Sequence, residues 1–385
     1  MRNEIVLPKF EVTIDYTFID AVLRYAKSEF SPRESISIGE LSKLLFAAQG
    51  CTRKRWGLCF KTVPSAGATF PLEAFAVCYS VERVNPAIYI YSSHKPFEGK
   101  IEEVAPISTI FQSPPLRPLD MVVVAHYERT TSTYGHRGYR YVYNEVGHCM
   151  QNVVLEATVL GMSCGVKVLT DKSVRKNLRE SLRTEGDPLA LLQIGISLTP
   201  SKDTKVNENS SLVPLEEAIV NRRSIRSYSR KPLSLEWLML ILKYSIGTIY
   251  RDKRPYPKVS DNYLVECIVL VRDVEGLEEG IYHYDSQRNE LKLVKRGYYL
   301  DDLYRACLHQ DYVRSAQCSL VFTTSRDADQ FLAHLETGMI GQNVYLLVAS
   351  MGLGTVAIGA FYDEEVKSII DVDLVPTYVM PIGTL

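Results

Sequence analysis

The sequence predicts an α+β fold, built twice in one chain. Three observations predict it. The chain aligns with itself in register, buried-strand runs recur at matching places, and each half carries one long helix that stops at glycine. Helices cluster between strands rather than alternating with them singly, which favours α+β over a doubly wound sheet.

The self-alignment runs from end to end. Asp20–Phe30 falls on Glu217–Ser227, and Ile36-Ser-Ile-Gly-Glu-Leu41 on Leu233-Ser-Leu-Glu-Trp-Leu238. Glu73 meets Glu266, and Tyr89-Ile-Tyr91 meets Tyr282-His-Tyr284. Glu145-Val-Gly-His-Cys-Met-Gln-Asn152 matches Glu336-Thr-Gly-Met-Ile-Gly-Gln-Asn343, and Gly161 falls on Gly352. Order is kept throughout, and the offset drifts only as loops differ. The polar stretch 199–212 between the copies reads as a linker, so the domains are expected at 1–198 and 213–385. Repeats this long resemble a fused homodimer, an intramolecular pseudo-dimer about a pseudo-twofold axis.

Within each half, residues 38–48 and 235–246 have helical apolar spacing. Ala74–Tyr79 and Cys267–Val271 are short apolar, β-branched or aromatic runs, hence strands. Asp120–Ala125 and Cys318–Thr323 read as buried strands. Segments 139–161 and 331–352 are apolar at three-to-four spacing and end at glycine, as helices do.

Composition narrows the function. Of 385 residues 46% are apolar and 23% charged, which permits a core of normal size and excludes disorder. Forty-four basic residues against 45 acidic ones give a net charge of −1, so charge supplies no reason to expect nucleic acid as partner. No apolar run reaches the ~20 residues of a membrane helix. The start Met1-Arg2-Asn3-Glu4 lacks the apolar core of a signal peptide, so a cytoplasmic protein without membrane contact is expected. The eight cysteines form no C-x-x-C pair and no histidine cluster has metal-ligand spacing, so buried reduced thiols and no metal are expected.

Four motifs carry candidate chemistry. Arg222-Arg223-Ser224-Ile225-Arg226 sets three forked cations and a hydroxyl within five residues, suited to a phosphate or another anion; a solvated basic turn is the structural alternative. Pro64-Ser65-Ala66-Gly67-Ala68-Thr69-Phe70-Pro71 is a stiff loop of small residues that lets a flat ligand approach the backbone, or an ordinary structural loop. Gly352-Leu-Gly-Thr-Val-Ala-Ile358-Gly359-Ala360-Phe361 follows a helix and lacks the third-glycine spacing of a dinucleotide fingerprint. It reads as a helix stop and then a close-approach segment, whose amides at Gly359 and Ala360 can face a ligand. Tyr134-Gly-His136-Arg-Gly-Tyr-Arg-Tyr141 alternates aromatic and cationic residues ahead of the long first-half helix. Tyr134 and His136 are candidate proton donors there, with surface roles as the alternative.

Arg-Arg-Ser-x-Arg, Pro-Ser-Ala-Gly-Ala-x-x-Pro-x-Glu, Tyr-Arg-Tyr before Glu-x-Gly-His-x-x-Gln-Asn, and Gly-Leu-Gly-Thr-x-x-Ile-Gly-x-Phe together resemble the FMN-dependent nitroreductase superfamily. The particular resemblance is to its SagB-type branch, which includes thiazoline and oxazoline dehydrogenases, and it covers nearly all of both halves. It implies a dimer with FMN at the subunit interface. The Arg-Arg-Ser-x-Arg segment and the segment after the glycine-terminated helix come from one subunit, and the Pro-Ser loop from the other. It further implies that Arg222 and Ser224 meet the phosphate, that Arg226 approaches the N1/C2-oxygen edge of the isoalloxazine, that the amides near Gly359 and Ala360 lie near the N5/O4 edge, and that Ser65 and Ala66 cover the ring, with Arg223, Ile358, Pro64 and Gly67 completing the cofactor-binding set.

The halves keep complementary parts of this set. Tyr25-Ala-Lys27 and Glu29 stand where the second half has Arg222-Arg-Ser224 and Arg226, and Val168 stands at the Gly359 position. Conversely, Pro257-Lys-Val-Ser-Asp-Asn-Tyr263 replaces the Pro64–Phe70 loop. One complete composite site and one dead mirror site are therefore expected. Family members often carry a cation just after the final Ile-Gly; Thr384 and Leu385 follow here, and Lys202 in the first half would serve the dead site.

The functional expectation is an FMN oxidoreductase transferring hydride at flavin N5. It would act in azoline dehydrogenation of a peptide or in NAD(P)H-dependent reduction of a nitro or quinone compound. A non-catalytic scaffold or partner subunit of a peptide-modifying complex is the alternative, and a flavin-consuming enzyme a third.

Overall fold

The computed structural model describes residues 3–27, 29–109, 115–199 and 212–385. Most of the linker, Lys202 and the Glu29 side chain lie outside the described residues. The chain divides into two compact units. The first holds the residues before the linker together with Pro214–Asn221; the second holds Arg222–Leu385.

Among the described residues of the first unit, antiparallel strands run in the order Glu4–Val6, Glu98–Pro106, Ala87–Lys95, Leu72–Cys78, Leu119–Ala125, Asp187–Thr199 and Glu29–Pro32, with Met162–Val168 also on Asp187–Thr199. The second unit repeats the central part: Glu290–Arg296, Gly280–Asp285, Val265–Val271, Cys318–Thr324, Val375–Thr384, Leu353–Thr355. The expected α+β fold is thus present twice, with one strand order.

The expected helices are Ile38–Gln49 and Leu235–Ser245, and the long ones are Gly138–Val159 and Gln330–Ser350. Ile38–Gln49 begins with a capping box: Ser37 Oγ accepts from Glu40 N, while the Glu40 carboxylate accepts from Ser37 N. Asp329 caps Gln330–Ser350 by accepting from Phe331 N and Leu332 N. Both long helices stop where Gly161 and Gly352 take left-handed φ values of 76° and 67°.

The long helices are buried almost all round, so their polar residues need internal partners. Asn152 Nδ2 donates to Ala47 O, and Asn343 Nδ2 donates to Ser245 O and Pro255 O. The repeated asparagine therefore pins each long helix to the end of the helix before the sheet. The cysteines are free thiols. Burial pushes Cys149 up to about 12, which keeps it protonated and unreactive.

The short helix Leu215–Asn221 follows the linker in sequence but packs in the first unit. Leu215 N donates to Tyr16 O. The buried Glu216 carboxylate accepts from Thr13 N at 2.7 Å and Ile14 N at 3.1 Å, and pairs with Lys43. Glu156, fully buried on Gly138–Val159, has carboxyl oxygens without a hydrogen-bond partner. Burial first, and then the Glu216 carboxylate, push its pKa well above the usual carboxylate range, against the pull of Lys43. The folded chain thus holds a proton that the unfolded chain releases at the ordinary carboxylate pKa. Stability falls as pH rises from there toward the folded pKa, by about 1.4 kcal/mol per pH unit. Glu156→Gln is expected to remove this slope, so its advantage over wild type grows as pH rises above the ordinary carboxylate range. Urea titrations at several pH values check it, and parallel pH profiles for the two proteins would contradict it.

Candidate functional site

In the second unit, Arg222–Arg226 leaves the helix Leu215–Asn221 as irregular backbone. Ile225 N donates to Thr355 O at 2.8 Å, and Tyr228 OH returns a bond to Ile225 O at 3.0 Å. Two cross-strand glycines make room for this segment. A Cβ on Gly354 would stand 2.9 Å from Ile225 and Tyr228, and one on Gly383 would stand 2.2 Å from Tyr228. Gly354 is thus a packing glycine, whereas Gly352 serves the turn.

The side chains of this segment divide by burial. Arg222 is buried, with its guanidinium 5.1 Å from the centre of the Tyr345 ring. Arg223 and Arg226 are exposed, and neither pairs with a carboxylate among the described residues. Arg226 lies 5.7 Å from the Tyr312 ring centre. Ser224 is half-buried, its Oγ 3.0 Å from Tyr345 OH.

The close-approach segment meets the same tyrosine. Ala357 N donates to Tyr345 OH at 2.8 Å. Ile358 exchanges two backbone bonds with Val379, and its side chain belongs to the core, so its own N–H is already committed and is not offered to a ligand. Ala360 O accepts from Gln310 Nε2 at 3.2 Å, and Tyr312 OH donates to Gln310 Oε1. Gly359 and Ala360 are half-buried. The structure therefore brings Arg222, Ser224 and Ala357 together on one side chain, Tyr345. It links Arg226 to Ala360 through Tyr312 and Gln310. Arg223 and Arg226, which pair with no carboxylate among the described residues, flank the Ser224 hydroxyl in sequence, a donor set that fits a phosphate monoester.

Sequence reasoning missed Tyr345, Tyr312 and Gln310. A signal existed for Tyr345: the register that sets Glu145 on Glu336 puts Val154 against it, so the hydroxyl stands only in the half that keeps Arg-Arg-Ser-x-Arg. Tyr312 and Gln310 belong to a stretch with the helices Leu300–Ala306 and Asp311–Ser315, for which the alignment gives no counterpart.

In the first unit, the Pro64–Gly67 loop is wound tightly. Ser65 Oγ accepts from Phe70 N at 3.0 Å, and Thr69 Oγ1 donates to Ala66 O. Gly67, Ala68 and Phe70 have φ of 59°, 56° and 45°. Two of these are not glycine, so the loop holds strained backbone. Tyr134 belongs to the same place: a Cβ on Gly67 would stand 2.4 Å from its hydroxyl, and its ring meets Tyr141 edge-on at 5.2 Å. His136 is exposed, 5.6 Å from the Tyr139 ring. Glu73, which closes the Pro-Ser motif, faces His126 at 2.9 Å and Arg129 at 2.8 Å. Burial works to raise its pKa, but these two neighbours hold its carboxyl below the usual range. In the second half Tyr263 fills the corresponding loop, with the Arg254 and Lys258 cations 4.6 Å and 5.1 Å from its ring centre.

The nitroreductase family pattern matches the chain twice, over residues 22–196 and 219–384. The chain belongs to the nitroreductase family. Its members are oxidoreductases that generally use a flavin. The protein named "Putative nitroreductase MJ1384" from Methanocaldococcus jannaschii is 36% identical over 180 residues, covering 44% of this chain and 91% of that protein. A nitroreductase-named crystal structure from Anabaena variabilis superposes with a TM-score of 0.76 at 19% identity, covering 98% of this chain and 93% of that one, a likeness of fold. No helix among the described residues is long and apolar enough to cross a membrane, and no acidic, His or Cys cluster there suits a metal.

Proposed function

We propose that this nitroreductase-family chain is an FMN-dependent oxidoreductase with one flavin site, whose phosphate-binding residues lie in the second half. Arg222, Arg223 and Ser224 bind the phosphate. Arg226 sets a positive charge beside the pyrimidine edge of the ring system, where negative charge accumulates on reduction. The backbone at Ile358, Gly359 and Ala360 borders the opposite edge. FMN, when bound, supplies hydride transfer at N5.

The observation that carries this reading is the meeting of Arg222, Ser224 and Ala357 on Tyr345, beside two exposed arginines without carboxylate partners. In the first half Tyr25, Ala26, Lys27 and Val154 stand at the matching positions and offer no such set. The motif set supports placement in the SagB-type branch. The hydride donor to the flavin is NAD(P)H or an azoline-bearing peptide, and in the NAD(P)H case the acceptor is a flat nitro or quinone compound. Tyr134, beside the Gly67 loop, and His136 are the candidate proton donors of the first half.

Mixing FMN-loaded protein anaerobically with NADH or NADPH tests the reductase form. Bleaching of the visible flavin band within seconds is expected. A band untouched anaerobically by either nucleotide and by an azoline peptide, with no electron acceptor added, would overturn the oxidoreductase reading for this site.

A further inference from the structure

We propose that Tyr345 is a positioning residue that turns the Ser224 hydroxyl into a hydrogen-bond donor for the phosphate monoester of the bound ligand. The inference rests on the flavin reading above and adds to it a residue outside every motif.

The hydroxyl of tyrosine has one proton and accepts through its lone pairs. Ala357 N–H, 2.8 Å away, can only donate, so it occupies an acceptor site on Tyr345 OH. Ser224 Oγ lies 3.0 Å from the same oxygen. Of the two hydroxyls facing each other, the phenolic one is the more acidic and the better donor, while the aliphatic oxygen is the better acceptor. The Arg222 guanidinium 5.1 Å from the ring centre draws electron density from the ring and strengthens that donation. The bond therefore runs from Tyr345 to Ser224, and the proton of Ser224 is turned away from Tyr345.

Half-buried Ser224 lies in sequence between exposed Arg223 and Arg226, so its proton is offered where an anion would collect. A phosphate oxygen accepts but cannot donate when fully ionised, so a serine held as a donor gains a charge-assisted bond. A freely rotating serine would lose orientational freedom on binding. The amide of Ala357 also ties the close-approach segment to the same hydroxyl, so phosphate seating and the backbone before Gly359 share one anchor. The first half has Lys27 and Val154 at the positions of Ser224 and Tyr345, so the pair is retained or lost together.

The test compares FMN with riboflavin, which has the same ring system without the phosphate. Both are titrated into wild type, Tyr345→Phe, Ser224→Ala and the double variant, following flavin fluorescence. Each single variant is expected to lose about ten- to a hundred-fold in FMN affinity while riboflavin affinity stays within about two-fold. The double variant should lose no more than Ser224→Ala alone. Equal weakening of both ligands in Tyr345→Phe would mark it as a structural pin only and overturn the inference, as would losses that multiply in the double variant. Ser224→Ala with an unchanged FMN-to-riboflavin ratio overturns it even if Tyr345→Phe does not fold. A wild type that binds neither flavin removes the flavin reading itself, and this inference with it.

Discussion

Glu336→Ala is expected to destabilise the second unit by about 3–5 kcal/mol, the cost of breaking a buried ion pair from one side. Glu336 is fully buried on Gln330–Ser350. Its carboxylate accepts from Leu264 N at 2.9 Å, Val265 N at 3.2 Å and Tyr256 OH at 3.1 Å. The Arg254 guanidinium stands 3.8 Å away and also donates to Tyr256 OH, Val265 O and Ser286 Oγ. Alanine would leave a buried cation without its counter-ion and the amides of Leu264 and Val265 without their acceptor. Tm should fall on the order of 10 °C. Glu336→Gln, which keeps one acceptor oxygen but sets an NH2 group against a donor and loses the charge, should fall by less than Glu336→Ala. A loss below about 1 kcal/mol in urea unfolding for Glu336→Ala would mean that the cluster does not hold the strand Val265–Val271 to the long helix.

Arg226→Glu should reduce FMN affinity at least about a hundred-fold, because a charge-assisted bond is lost and a repulsion added. Arg226 is exposed and packs only against Tyr312 among the described residues, so Tm should move by less than about 2 °C. Arg230→Glu, an exposed arginine beyond the motif, makes the same change in net charge and is the control. Its effect should be small and vanish at high salt, whereas that of Arg226→Glu should persist. Equal effects from the two variants would reduce the role of Arg226 to general electrostatics.

The repeat was legible because its anchors are forced by burial. Glu145 and Glu336, or Asn152 and Asn343, lie in helices with no water to satisfy them. Each therefore keeps one set of internal partners, and the residue type survives in both halves. Glycine stops were legible because the turn needs a left-handed φ. Tyr345 was not, because a single tyrosine among apolar helix residues has the same periodicity as core. Only its contacts, with Arg222, Ser224 and Ala357 far away in sequence, distinguish it. Gln310 and Tyr312 were hidden for the same reason, in a stretch with no motif. Nor did the sequence reveal that Leu215–Asn221 packs with the first unit, since the decisive contact is the pairing of Glu216 with Lys43 and two distant amides.

The count of flavin per chain tests the proposed single flavin site most directly. The purified protein is saturated with FMN, freed of excess, and its bound flavin is quantified from the visible spectrum against protein concentration. One flavin per chain is the predicted result, with Arg226→Glu reducing it to none. Two per chain would mean that the first half's Tyr25-Ala-Lys27 set also holds a flavin, and none would mean that the retained motifs do not form a flavin site at all.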